Sequence, residues 1–172
     1  MDSFRRSLKR AGAACAAMLL AAVTADTGWS QQDAGRAAQA LAKWLGCEYC
    51  EQDELAAVTQ YGQAILPGLI AALNEGPSSA TRDELGKALA ERYDELVEQS
   101  KTNPHAPITA TRERFVELYG GTLDAQHRIR AAQALAAIGG ERARAALEAA
   151  ASHAYRADVR AAARESLRKL AR

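Results

Sequence analysis

The sequence predicts an all-α protein: a short α-solenoid of helix pairs behind an export signal. Three observations predict it. The chain of 172 residues holds 41 Ala against 5 Val and 5 Ile, with aromatics at 5%. Ala, Leu, Glu, Arg and Gln favour helix, whereas strands draw on the β-branched and aromatic residues that are scarce here. Apolar residues recur at helical spacing in short segments separated by Gly- or Pro-marked turns. The C-terminal third also repeats itself. His127-Arg128 followed by Ala131, Leu135 and Ile138 returns 32 residues later as Val159-Arg160 followed by Ala163, Leu167 and Leu170. A period between about 20 and 50 residues marks a solenoid, in which each unit buries its face against its neighbours. Small side chains suit that arrangement, because they let helices approach closely. The 12 Gly, 4 Pro and 3 Cys are too few for collagen, a low-complexity chain or a disulfide-dense scaffold.

The helices follow in order. Asp33 is a candidate cap for the first, with Leu41, Trp44 and Leu45 on one face and Gly46 interrupting it. The second runs from about Glu51 to Tyr61 on Leu55, Val58 and Tyr61, and Gly62 stops it. Pro67 belongs in the first turn of the third, which carries Leu69, Ile70 and Leu73 and ends at Asn74-Glu75-Gly76-Pro77. Ser79 or Thr81 opens a longer helix on Leu85, Leu89, Tyr93, Leu96 and Val97, and Lys101 to Pro107 reads as a linker. Thr109 to Tyr119 is expected to be a separate helix ended by Gly120-Gly121. Segments at about Asp124–Ile138, Glu141–Ser152 and Arg156–Leu170 complete the chain.

Residues 1–25 read as a secretory signal peptide rather than part of the fold. Arg5, Arg6, Lys9 and Arg10 precede an uncharged run from Ala11 to Ala25, and Val23-Thr24-Ala25 offers small residues for cleavage. The run is short for a span of about 20 residues. The expected mature chain, residues 26–172, is then periplasmic or secreted. It carries 18 bases and 20 acids, net −2, with no further transmembrane segment.

Gln60-Tyr61-Gly62-Gln63-Ala64-Ile65-Leu66-Pro67-Gly68-Leu69-Ile70-Ala71-Ala72-Leu73 resembles the turn and second helix of a bacterial HEAT-like (PBS-lyase-type) repeat, with its Gly stop, opening Pro and Leu-rich face. Ala132-Gln133-Ala134-Leu135-Ala136-Ala137-Ile138-Gly139 resembles the first helix and its Gly. Residues 79–125 fit poorly and read as an irregular or inserted repeat. The resemblance implies a non-enzymatic partner-binding or scaffold protein. Some such repeats are linked to bilin lyases, but nothing in this chain matches a lyase site.

Cys47 and Cys50 are the most specific local feature. In an oxidising compartment, two cysteines at this spacing most simply form a disulfide that pins a helix end, worth about 2 kcal/mol in the chain-entropy model. The alternative is a thiol–disulfide redox accessory using the same pair. No βαβ context surrounds it, and Trp44 does not directly precede Cys47. Glu51 stands where covalent haem attachment needs His. His105, His127 and His153 lack metal-ligand spacing, so no metal or cofactor is expected. His127 takes the place of Val159 in the repeat, which points to packing. Glu48, Glu51, Asp53 and Glu54 beside the cysteines suit a helix N-terminus, and Asp83, Glu84, Glu91, Asp94, Glu95 and Glu98 suit a solvated face. No catalytic triad or phosphate loop appears.

Charge is polarised. Residues 26–111 have 6 bases and 13 acids, net −7; residues 112–172 have 12 and 7, net +5. Arg156, Arg160, Arg164 and Arg168 recur every four residues as one stripe. It reads either as a solvated face with inter-repeat ion pairs to Asp158 and Glu165, or as a surface for an acidic protein or anionic lipid head groups. Export and sparse aromatics argue against nucleic acid. On the binding reading, Arg128, Arg160, Arg164 and Arg168 are the candidate partner-facing residues.

Overall fold

A computed structural model describes residues 30–47, 52–102 and 108–171. The expected signal peptide, Cys50 and most of the 101–107 linker lie outside the described residues. Seven α-helices are present among the described residues: α1 (Gln31–Gly46), α2 (Gln52–Thr59), α3 (Leu66–Glu75), α4 (Ser79–Thr102), α5 (Arg112–Ile138), α6 (Glu141–His153) and α7 (Ala157–Leu170). One turn of 3₁₀ helix, Gly62–Ile65, joins α2 to α3.

The cap of α1 is Ser30, not Asp33. The Ser30 hydroxyl oxygen accepts from the Asp33 backbone N–H at 3.2 Å and donates to the Asp33 carboxylate at 2.7 Å. Asp33 therefore sits in the first turn, where its charge faces the positive end of the helix. Thr111 caps α5 in the same way, accepting from Arg114 N–H at 3.3 Å. Pro67 lies in the first turn of α3, where its missing N–H leaves no bond unmade.

The expected break at Gly120-Gly121 is absent. Helix α5 runs unbroken through both glycines for 27 residues, about 40 Å at the α-helical rise. Neither glycine has a positive φ. Two glycines weaken a helix but do not end one unless the backbone turns left-handed, and packing along α5 carries it through.

Helix α3 packs on α5 and α6, and α7 packs on the same two. Ile65, Leu66, Leu69 and Leu73 meet Leu135, Leu147 and Val159 in the centre, all buried. The 32-residue repeat is visible in this core. Ala131 and Leu135 of α5 are buried, as are their counterparts Ala163 and, in part, Leu167 of α7. Trp44 of α1 and Val58 of α2 close the N-terminal end. Gly68 of α3 leaves room for the Leu41 side chain of α1, since a Cβ there would lie 2.9 Å from Leu41 Cδ2.

Helix α6 packs on both α5 and α7, whereas α2 meets α3 mainly through the 3₁₀ turn, with a bend of 96° between α2 and the Gly62–Glu75 segment. After α3, α4 and the first half of α5 form a helical hairpin, the arm, over residues 79–123. Among the described residues, α4 packs on α5, with only marginal contacts to the other helices. Aromatic side chains join the two: the Phe115 ring lies 5.6 Å from that of Tyr93 and 4.4 Å from that of Tyr119. The Tyr93 hydroxyl donates to the Ala110 carbonyl at 3.0 Å, and Arg112 pairs with Asp94 at 2.7 Å. Residues 79–125, whose sequence fits the repeat pattern poorly, thus fold as this two-helix arm and its root.

Candidate interaction surface

Helix C-termini leave up to four carbonyls without intrahelical partners, and the partial negative charge there attracts cations. Arginines of the repeat meet that need. Arg128 reaches from α5 to the end of α3. Its Nη1 donates to the carbonyls of Leu73 at 3.1 Å and Asn74 at 2.5 Å, and its Nη2 donates to Glu75 at 2.9 Å. Arg160, the residue 32 positions later, donates from Nη1 to the carbonyls of Ala154 at 2.6 Å and Tyr155 at 3.2 Å, just past α6. Arg164 adds a bond to the Ala151 carbonyl at 3.3 Å. Arg130 does the same for α1, donating to Leu45 at 3.0 Å.

These contacts give the arginines a structural role at helix ends. Arg128, with a side chain only 12% exposed, faces inward. Arg160 and Arg164 reach backbone carbonyls at the end of α6. Arg168 is exposed and pairs with Glu165 on its own helix at 2.5 Å. Asp158 pairs with Arg156 at 2.7 Å. Both carboxylates named for inter-repeat pairs therefore serve local ones. The recurrence of Arg128 as Arg160 thus coincides with two helix ends that each take an arginine cap.

At the root of the arm the caps converge on Asp124. Its carboxylate accepts from Arg128 Nε at 2.8 Å and from the Tyr155 hydroxyl at 3.0 Å, and Arg82 of α4 lies at 3.7 Å. Burial pushes the Asp124 carboxyl up, but the hydrogen bonds from Arg128 and Tyr155 and the arginine charges outweigh it and hold it below the usual aspartate range. The Tyr155 phenol moves the other way, raised by burial and by its bond to Asp124. The Arg128 guanidinium also lies 5.6 Å from the centre of the Tyr155 ring. Gly76 completes the cluster. It caps α3 at φ 74°, and a Cβ there would lie 2.5 Å from Asp124 Oδ1 and 2.7 Å from Arg128 Nη2. His127 is mostly buried beside this network. Desolvation lowers its pKa to about 4 against the charge of Asp124, with Arg130, Arg128 and Arg82 adding to the effect. A neutral imidazole in the place of Val159 fits the packing role expected from the repeat.

Residues 66–168 match the family of HEAT repeats. The chain belongs to the HEAT-repeat family. No curated protein matches it, and no solved structure does. Proteins built of HEAT repeats generally serve as protein-interaction scaffolds, and their stacked helices offer extended surfaces to partners.

In this HEAT-repeat protein, the large hydrophobic side chains left exposed among the described residues are Leu118 at 48%, Tyr119 at 51% and Tyr155 at 68%. The first two lie on the arm, and the third is bonded to Asp124 at its root. Sequence reading missed all three as candidate contacts, along with Asp124 and Arg82. Leu118 and Tyr119 count as apolar periodicity until the neighbouring helix is placed. Cys47 follows the C-terminus of α1 and is partly buried against the core. No group of three His, Cys, Asp or Glu residues suited to a metal occurs among the described residues. No single described helix is long and apolar enough to cross a membrane.

Proposed function

We propose that the protein is an exported, non-enzymatic HEAT-repeat scaffold that binds another protein through the arm and its root. One observation carries this reading: the exposed large hydrophobics Leu118, Tyr119 and Tyr155 all belong to the arm or to the cluster at its base. Family membership supports a protein partner, and the arm carries two of the three exposed side chains. The capping arginines hold the solenoid in shape behind it.

A photo-crosslinking residue placed at Leu118, Tyr119 or Tyr155 in the producing cell tests this. A discrete adduct from these positions, absent from the exposed control Gln133 on the regular part of α5, is the expected result. Equal or no crosslinking at all four positions overturns the arm as the contact.

Export and the cysteine pair belong to the same proposal. The signal-like residues 1–25 support export. The spacing of Cys47 and Cys50 supports a disulfide between the end of α1 and the start of α2. Intact mass of the exported protein after thiol alkylation, with and without reduction, is expected to show cleavage near Ala25 and alkylation only after reduction. An uncleaved chain argues against export, and alkylation without reductant argues against the disulfide.

A further inference from the structure

Gly120 and Gly121 sit together near the middle of α5, at the junction between the arm and the solenoid. Glycine is the least favourable residue in a helix interior apart from proline, so a pair of them calls for a reason. Backbone conformation supplies none, because both are helical with ordinary φ. Packing supplies little. A Cβ on Gly120 would meet Leu89 Cδ1 at 3.9 Å, an ordinary contact, and one on Gly121 would meet only the flexible tip of Arg156 at 3.4 Å. Alanine would fit at the first and fit with a small shift of the arginine at the second.

The chain passes between solenoid and arm at one other described place, the turn from Gly76 to Ser78. Gly76 holds a positive φ there. That glycine is accounted for as the cap of α3, so of the two crossings only the pair in α5 lacks another reason. Beyond them, α4 packs on α5 with only marginal contacts to other helices, so a bend at the crossings would move the arm as a unit and leave the core intact. Arg82 spans the junction, with a bond to the Glu75 carbonyl at 2.5 Å and Asp124 at 3.7 Å. Helix kinks occur mainly at Pro, Gly and Ser positions, and hinges are a few residues that absorb the change in φ and ψ.

We infer that Gly120-Gly121 and the Gly76–Ser78 turn form a hinge about which the arm swings relative to the solenoid, with Arg82 as the latch of the closed position. The hinge does not depend on what the arm binds.

The test is the distance distribution between spin labels attached to a bio-orthogonal residue at exposed Glu98 on the arm and at exposed Glu148 on α6. In the otherwise unaltered chain a broad distribution is expected. It narrows in the Gly120→Ala/Gly121→Ala variant and broadens further in Arg82→Ala. Gly86→Ala, in α4 where a Cβ meets nothing within 4 Å, is the control and leaves the width unchanged. Amide exchange supplies a second reading: residues 121–125 exchange faster than residues 131–135 of the same helix, and the double alanine variant slows them by roughly tenfold or more. Equal narrow distributions in the unaltered chain and the double variant overturn the hinge. So does a double variant that is less stable or fails to fold, since the glycines would then be required by packing.

Discussion

Trp44 and Arg130 hold each other across the interface between α1 and α5. The indole Nε1 donates to the Arg130 carbonyl at 2.9 Å, and the Arg130 guanidinium donates back to the carbonyl of Leu45, the residue after Trp44. One bond orients a buried aromatic side chain, and the other caps a helix end. Trp44→Phe keeps most of the apolar area and deletes the first bond. It is expected to destabilise the protein by about 1–2 kcal/mol, because the Arg130 carbonyl loses its indole partner. Urea unfolding of the two proteins checks this, and an unchanged midpoint would show that the bond contributes nothing.

Arg128 and Arg168 separate capping from exposed arginines. Arg128→Ala removes the bonds to three α3 carbonyls and leaves Asp124 short of its closest cation. A loss of about 2–4 kcal/mol is expected. Arg168→Ala breaks only an exposed pair with Glu165, and its effect should stay below about 0.5 kcal/mol. Equal effects in denaturant melts would contradict the capping role.

Gly76 is confined by both backbone and neighbours. Its φ of 74° with ψ of −156° is a region almost closed to other residues, and a methyl group there would strike Asp124 and Arg128. Gly76→Ala should cost about 2 kcal/mol or more. Gly35→Ala, in α1 with open space around it, should stabilise by up to about 1 kcal/mol. Thermal melts of the pair should move in opposite directions.

Stability should depend on His127 between neutral and acid pH. The folded pKa is lowered to about 4 from an ordinary 6.5, so between these values the unfolded chain binds more protons. Stability is therefore full above pH 6.5 and falls as pH drops towards 4, by about 3 kcal/mol at most. Asp124, with its pKa lowered, gives a second loss at lower pH, as the chain passes through the folded pKa. His127→Val, copying Val159 of the next repeat, should flatten the first window and leave the second. Denaturant midpoints measured from pH 7 to pH 4 decide it, and an equally steep slope in the variant would rule His127 out.

Most of the helices were legible because their signals are local. Pro67 opens α3, Gly76 ends it, and the Leu69-Leu73 stripe faces the core as its spacing implies. The break at Gly120-Gly121 was misread because a glycine pair looks the same whether the chain turns or continues. The capping role of Arg128, Arg160 and Arg164 was not legible for a related reason. A recurring arginine in a repeat reads as a surface stripe until the helix ends it reaches are placed in space.

The sequence by itself determined the helical class, the repeat of 32 residues and the HEAT resemblance. Each follows from side-chain periodicity and turn chemistry within a short stretch of chain. Tertiary structure decided that residues 79–123 form an arm, that α5 passes through two glycines, and that Arg128 serves α3 from more than 50 residues away. Those outcomes depend on which carbonyls and side chains meet across helices, and a one-dimensional pattern of residue types carries no record of such distances.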